Sequence, residues 1–112
     1  MKPASDREYI KTIIRLLEKD SSYMETAAQW ALIYIYCQKC FNIKMGESAF
    51  ENYVMETLST GFKKKCSKST VQKASKKASW KDEIKNEWSE GDNQLVDYLN
   101  EKLPFVKKWV VR

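Results

Sequence analysis

The chain has 112 residues, 43% of them hydrophobic and 31% charged, a balance that fits one globular domain and excludes disorder throughout. Its net charge is +5, carried by 17 Lys and only 3 Arg, with no histidine and three cysteines. The longest apolar run, Trp30 to Cys37, is far short of the ~20 residues of a membrane span, and an odd cysteine count argues against a secreted disulfide framework.

Met1 to Asp6 lacks the apolar run of a signal peptide, so the expected location is intracellular, in the cytoplasm. Ser5-Asp6-Arg7-Glu8 has capping-box spacing, and Ile10, Ile13, Ile14 and Leu17 come next at i, i+3, i+4, i+7. This predicts a first helix with one buried face, ending near Lys19-Asp20.

Ser22 to Glu25 repeats the capping-box spacing and is expected to open a second helix. From Ala27 to Phe41 this helix is apolar around most of its circumference. Only Glu25, Gln29, Tyr36 and Lys39 form a narrow polar strip. A helix apolar nearly all round is enclosed by others, so this segment is read as the central helix of the domain. Asn42 is the expected left-handed stop. A third helix starts near Gly46 to Ser48, turns Phe50, Tyr53, Val54 and Leu58 inward, and is expected to end at Gly61.

The positive charge is concentrated after this third helix. Thr57 to Lys81 holds eight lysines and no acid, whereas the remaining 12 basic and 15 acidic residues leave the rest of the chain at −3. Residues 62–78 therefore read as a basic segment whose first part is too polar to predict as regular structure and is free to be mobile. From Thr70 a helix is expected, with Val71, Ala74 and Ala78 on one face. Trp80, Ile84 and Trp88 make a second stripe at roughly 110° from the first, so a break is placed at Ser79 and a Trp-bearing helix runs on to Gly91. Asp92 or Asn93 is the expected cap of the last helix, which buries Leu95, Val96, Leu99 and Leu103 and stops at Pro104. The tail, Phe105 to Arg112, fits a helical turn or a strand. Short connections between about five helices point to an all-α, compact bundle around Ala27–Phe41, a single domain spanning residues 1–112.

Cys37-Gln38-Lys39-Cys40 has the spacing of a redox dithiol or half a zinc site. It lies near the C-terminal end of its helix, where the dipole opposes thiolate, and without histidine only Cys66 remains as a further soft ligand. It is read as packing, with Cys37 in the core and Cys40 half-buried; no metal or cofactor is expected. The carboxylate pairs Glu47/Glu51, Glu83/Glu87 and Glu87/Glu90 sit among lysines and read as solvated helix faces. Gly46, Gly61 and Gly91 are scattered and build no phosphate loop. The expectation is a protein that is not an enzyme.

The basic segment is the functional candidate. Lys63, Lys64, Lys65, Lys68, Lys73, Lys76, Lys77 and Lys81 stand among small hydroxyl residues, bracketed by Phe62 and Trp80, which would stack on bases if exposed. Lysines on phosphates give affinity without sequence readout, and scarce arginine argues against base-edge recognition. The expected function is a small accessory protein that binds nucleic acid or a ribonucleoprotein through backbone electrostatics. The alternative is a protein-interaction module — an inhibitor, adaptor or complex subunit — meeting an acidic protein surface with the same lysines and with Trp80, Lys107, Lys108 and Trp109. Trp30 and Trp88 read as core, Trp80 and Trp109 as exposed. The oligomeric state is not legible.

Overall fold

The computed structural model describes residues 6–77, 80, 88–103 and 109. The first helix, α1, covers Asp6–Lys19 and buries Ile10, Ile13, Ile14 and Leu17 completely, the face its spacing predicts. A 3-10 turn, Ser21–Tyr23, leads to α2 at Gln29–Phe41. Helix α3 spans Glu47–Thr57, α4 spans Lys68–Ser75 and α5 spans Glu90–Lys102. Among the described residues there are these five α-helices and no strand, so the protein is an all-α bundle. Its radius of gyration, 12.9 Å, matches the ~13 Å expected of a close-packed chain this long.

Helix α2 is the centre. Every residue from Gln29 to Cys37 is buried, and α1, α4 and α5 all pack on it. Helix α3 lies against α1 and α4. Asn42 ends α2 in the left-handed conformation, φ 54° and ψ 42°, as its amide side chain allows. The start of α2 departs from expectation. Ser22 falls inside the 3-10 turn and cannot cap, and the first helical turn is tightened by i→i−3 bonds from Gln29, Trp30 and Ala31. The orphan donors ahead of it are taken by Gln29 itself, whose Oε1 accepts from the Glu25 and Thr26 amides at 2.8 and 3.2 Å.

The polar strip is divided between solvent and interior: Glu25 is exposed and Lys39 half-buried, whereas Gln29 and Tyr36 face inward. Gln29 is 3% exposed and Tyr36 fully buried. Both are turned to α5, where Gln29 Nε2 donates to Asp92 Oδ1 at 3.0 Å and Tyr36 Oη donates to Asn100 Oδ1 at 3.0 Å. Buried polar groups need such partners, and a strip of them forms a seam between two helices as readily as a surface.

Helix α5 begins earlier than expected. Ser89, not Asp92 or Asn93, is the cap: its Oγ accepts from the Asp92 amide at 3.0 Å, and the Asp92 carboxylate accepts from the Ser89 amide at 3.3 Å. This is a reciprocal capping box. Gly91 accordingly lies inside the first turn and terminates nothing. A Cβ there would overlap the Glu25 carboxylate, so glycine lets Glu25 approach the helix start. Leu95, Val96, Leu99 and Leu103 are buried as the spacing predicts. Helix α3 likewise ends at Thr57, before the expected Gly61, as Leu58 turns into extended backbone.

Trp80 and Trp109, read as exposed, are each 3% exposed. Trp109 packs edge-on against Trp88 at 5.2 Å and lies 6.2 Å from Tyr36. Asn100 grips its backbone from both sides, Nδ2 donating to the Trp109 carbonyl at 3.0 Å and Oδ1 accepting from its amide at 3.1 Å. A large ring beside an apolar seam gains more by burial than by facing water, and a charged flank in sequence does not prevent that. Trp30 and Trp88 are core, as read. The Ser5 cap, the Ala78 face position, the Ser79 break, Ile84, the Pro104 stop and the rest of the tail lie outside the described residues.

Candidate nucleic-acid interface

The basic segment is built on three buried apolar side chains. Phe62 is 7% exposed and meets Trp30 edge-on at 6.2 Å; Cys66 and Val71 are also buried. Between them, the Trp30 indole Nε1 donates to the Lys64 carbonyl at 2.6 Å, tying the loop to the central helix. The burial of Phe62 and Trp80 removes both aromatic rings as base-stacking platforms.

Ser67 then caps α4, its Oγ accepting from the Thr70 amide at 3.3 Å. A helix forms here because Val71 and Ser75 are four apart and turn inward onto α2 and α3, with Ser75 Oγ donating to Glu47 at 3.0 Å. The opposite face carries Lys68, Ser69, Gln72 and Lys73, and Lys76 continues it as the helix ends, all exposed. The helix ends at Ser75.

The lysines divide by environment. Lys63, Lys65, Lys68, Lys73 and Lys76 are exposed, and among the described residues none stands within ion-pair distance of a carboxylate. Lys65 Nζ reaches only the Thr60 carbonyl, at 3.3 Å. Lys64 is half-buried beneath its tethered carbonyl. Lys77 is half-buried and engaged instead. Its ammonium lies 4.7 Å over the Trp80 ring and 4.0 Å from Asp92 Oδ2, so its charge is answered within the fold. Lys81, Lys107 and Lys108 lie outside the described residues.

Beside the loop is a cleft of about 350 Å³ lined by Glu18, Ser21, Ser59, Gly61, Phe62, Lys63 and Lys64. Glu18 comes from the last turn of α1. Its Oε1 pairs with Arg15, and its Oε2 accepts from the Ser59 amide at 2.7 Å. Burial pushes its carboxyl upward, but the hydrogen bonds from Arg15 and Ser59 and the Arg15 charge outweigh this and hold it below the ordinary range. Glu18 carried no signal in the sequence beyond its place on the wet face of α1; the chain that meets it is 41 residues away.

The CxxC pair takes the places expected of packing residues. Cys37 is buried and Cys40 half-buried. Burial, followed by the neighbouring Cys40 and Asp6, raises the Cys37 thiol well above its usual range. Burial, followed by Glu51, pushes Cys66 up to about 12. Thiols so disfavoured as thiolates are poor nucleophiles. Of the carboxylate pairs, Glu47 is engaged by Ser75, while Glu83 and Glu87 lie outside the described residues. No helix among the described residues is long and apolar enough to cross a membrane.

Compared with protein-family models, curated proteins and solved structures, the chain matches none of them.

Proposed function

We propose that this protein is a small accessory protein that binds nucleic acid, or the nucleic acid of a ribonucleoprotein, through phosphate contacts from the basic segment. One observation carries the reading. Lys63, Lys65, Lys68, Lys73 and Lys76 are exposed and not ion-paired among the described residues, and they are mounted on a loop and helix that buried side chains hold in place. Cations left without carboxylates on an otherwise mildly acidic chain make a surface to which a polyanion is drawn, and releasing its counterions supplies the affinity. A tethered loop also lowers the ordering cost of binding. Ser69 and Gln72, exposed between the lysines on α4, add neutral donors of the kind that contact phosphate oxygens.

A salt series on generic single- and double-stranded nucleic acid tests this. If all five lysines contact phosphates, log K should fall against log salt with a slope of about −3.5 on a single strand and about −4.5 on B-DNA. Lys63, Lys65, Lys68, Lys73 and Lys76 changed together to Glu should abolish binding. Absence of binding by the unaltered protein at low salt would sink the proposal.

The acidic-protein reading keeps these lysines but loses its aromatic anchors, since Trp80 and Trp109 are buried. Without a central aromatic anchor, a lysine-only surface is a weaker case for a protein interface than for a phosphate backbone.

A further inference from the structure

The cleft between the end of α1 and the basic loop brings together groups that the phosphate reading does not use. Lys63, Lys64, Glu18, Ser21 and Ser59 all line it. A purely electrostatic phosphate surface has no use for a carboxylate, which repels the ligand. Glu18 is nevertheless fixed here, by Arg15 through one oxygen and by the Ser59 amide through the other. An ionised carboxylate has about four lone-pair positions, so after these two bonds it can still accept from a ligand. An acceptor a short way from phosphate-binding cations matches a sugar hydroxyl beside a phosphodiester. Carboxylates hold ribose hydroxyls in this way in dinucleotide sites, and the 2′-hydroxyl is the group that lets a protein tell RNA from DNA. The cleft's volume of about 350 Å³ is at the lower end of the ~300–1,000 Å³ of small-ligand sites, room for one nucleotide and not for a duplex.

We infer that this cleft seats a single ribonucleotide of a bound strand, with Lys63 and Lys64 facing its phosphate and Glu18 accepting a hydrogen bond from its 2′-hydroxyl, so that the basic segment prefers single-stranded RNA to single-stranded DNA. The inference rests on the proposed nucleic-acid binding and adds the sugar to what is recognised. Glu18 is held below the ordinary carboxylate range and therefore stays an acceptor across neutral pH.

The test compares three short single strands of one sequence, ribo, deoxy (with uracil in place of thymine) and 2′-O-methyl, at one fixed salt concentration. One hydrogen bond to a charged acceptor predicts that the ribo strand binds about tenfold tighter than the deoxy strand. The 2′-O-methyl strand cannot donate and should bind like the deoxy one. Glu18→Ala should abolish the preference, bringing the ratio of ribo to deoxy affinity down to about one. Changing Lys68, Lys73 and Lys76 to Glu should lower both affinities together and keep their ratio. Equal binding of ribo and deoxy strands by the unaltered protein would overturn the cleft inference and leave the phosphate surface standing. Binding of neither would overturn both. The three-strand comparison needs no variant, so it decides the matter even if Glu18→Ala fails to fold.

Discussion

Gln29 Nε2 donates to Asp92 Oδ1 at 3.0 Å across 63 residues of chain, and both side chains are buried. This contact joins the starts of two helices. Gln29 Oε1 satisfies the amides leading into α2, and Asp92 Oδ2 satisfies the Ser89 amide leading into α5. Lys77, at the end of the basic segment, lies 4.0 Å from the same carboxylate. Three parts of the chain therefore depend on one pair, and each partner, removed alone, leaves buried polar groups unsatisfied.

Asp92→Ala should cost about 3 kcal/mol, since it breaks a capping box and strands the Gln29 amide. Gln29→Ala should cost about 2 kcal/mol for the same reason on the other helix. In a double-mutant cycle by urea denaturation, the two should couple by about 1–2 kcal/mol. Additive losses would show that the contact is not formed in solution.

Trp109→Ala should behave as a core mutation and not as a surface one. The ring packs against Trp88 and Tyr36, so truncation should cost about 3–5 kcal/mol. In the unaltered protein its fluorescence, together with that of the other three tryptophans, should resist quenching by iodide until the chain unfolds. A Trp109→Ala protein of unchanged stability would contradict this burial.

Trp30→Phe isolates the tether on the basic loop. The phenyl ring keeps most of the packing but loses the donor to the Lys64 carbonyl. Loss of one hydrogen bond and a little volume should cost about 1–2 kcal/mol. The loop should also loosen locally, so trypsin should cut at Lys63 to Lys65 faster in this variant than in the native protein. Equal rates would mean that Phe62 and Cys66 alone hold the loop.

Stability should fall in alkali, beginning above pH 9. The Cys66 thiol rises from an ordinary 9.0 to about 12 in the fold, chiefly by burial, and Cys37 shifts in the same direction. An acid with a raised folded pKa keeps its proton while folded and releases it on unfolding. Between the two values the unfolded chain binds fewer protons, so the contribution is fully present below about pH 9 and is lost as pH rises toward 12. Urea midpoints at pH 8, 10 and 11 should decline in that order, and Cys66→Ala should decline less steeply. At pH 8, a thiol reagent should modify half-buried Cys40 well before Cys37 or Cys66.

Much of the fold was legible because one face of a helix repeats on a short period. Ile10 to Leu17, Leu95 to Leu103 and the all-round apolar run of α2 each mark their helix and its inward face without reference to anything distant. Asn42 ends α2 for an equally local reason, the ease with which its backbone turns left-handed. The caps of α2 and α5 were less legible. Serine a few residues before a periodic run suits several registers equally well, and packing selected Ser89 over its neighbours and left Ser22 in a 3-10 turn. For the candidate site, the concentration of lysine could be read directly, but its division into free and engaged charges could not. Lys73 and Lys77 are four residues apart in one basic run, and only the approach of Asp92 and Trp80 gives the Lys77 charge partners within the fold.

The sequence by itself determined the helical class, the central place of the apolar segment, most buried faces and the location of the positive charge. These depend on periodicity and composition, which act over a few residues. Only the tertiary structure decided which polar residues face inward, that Trp80 and Trp109 are core, and that Glu18 meets the basic loop. Burial and hydrogen bonding depend on partners brought together by the fold, 41 residues apart for Glu18 with Ser59 and 63 for Gln29 with Asp92, and no local pattern carries that information.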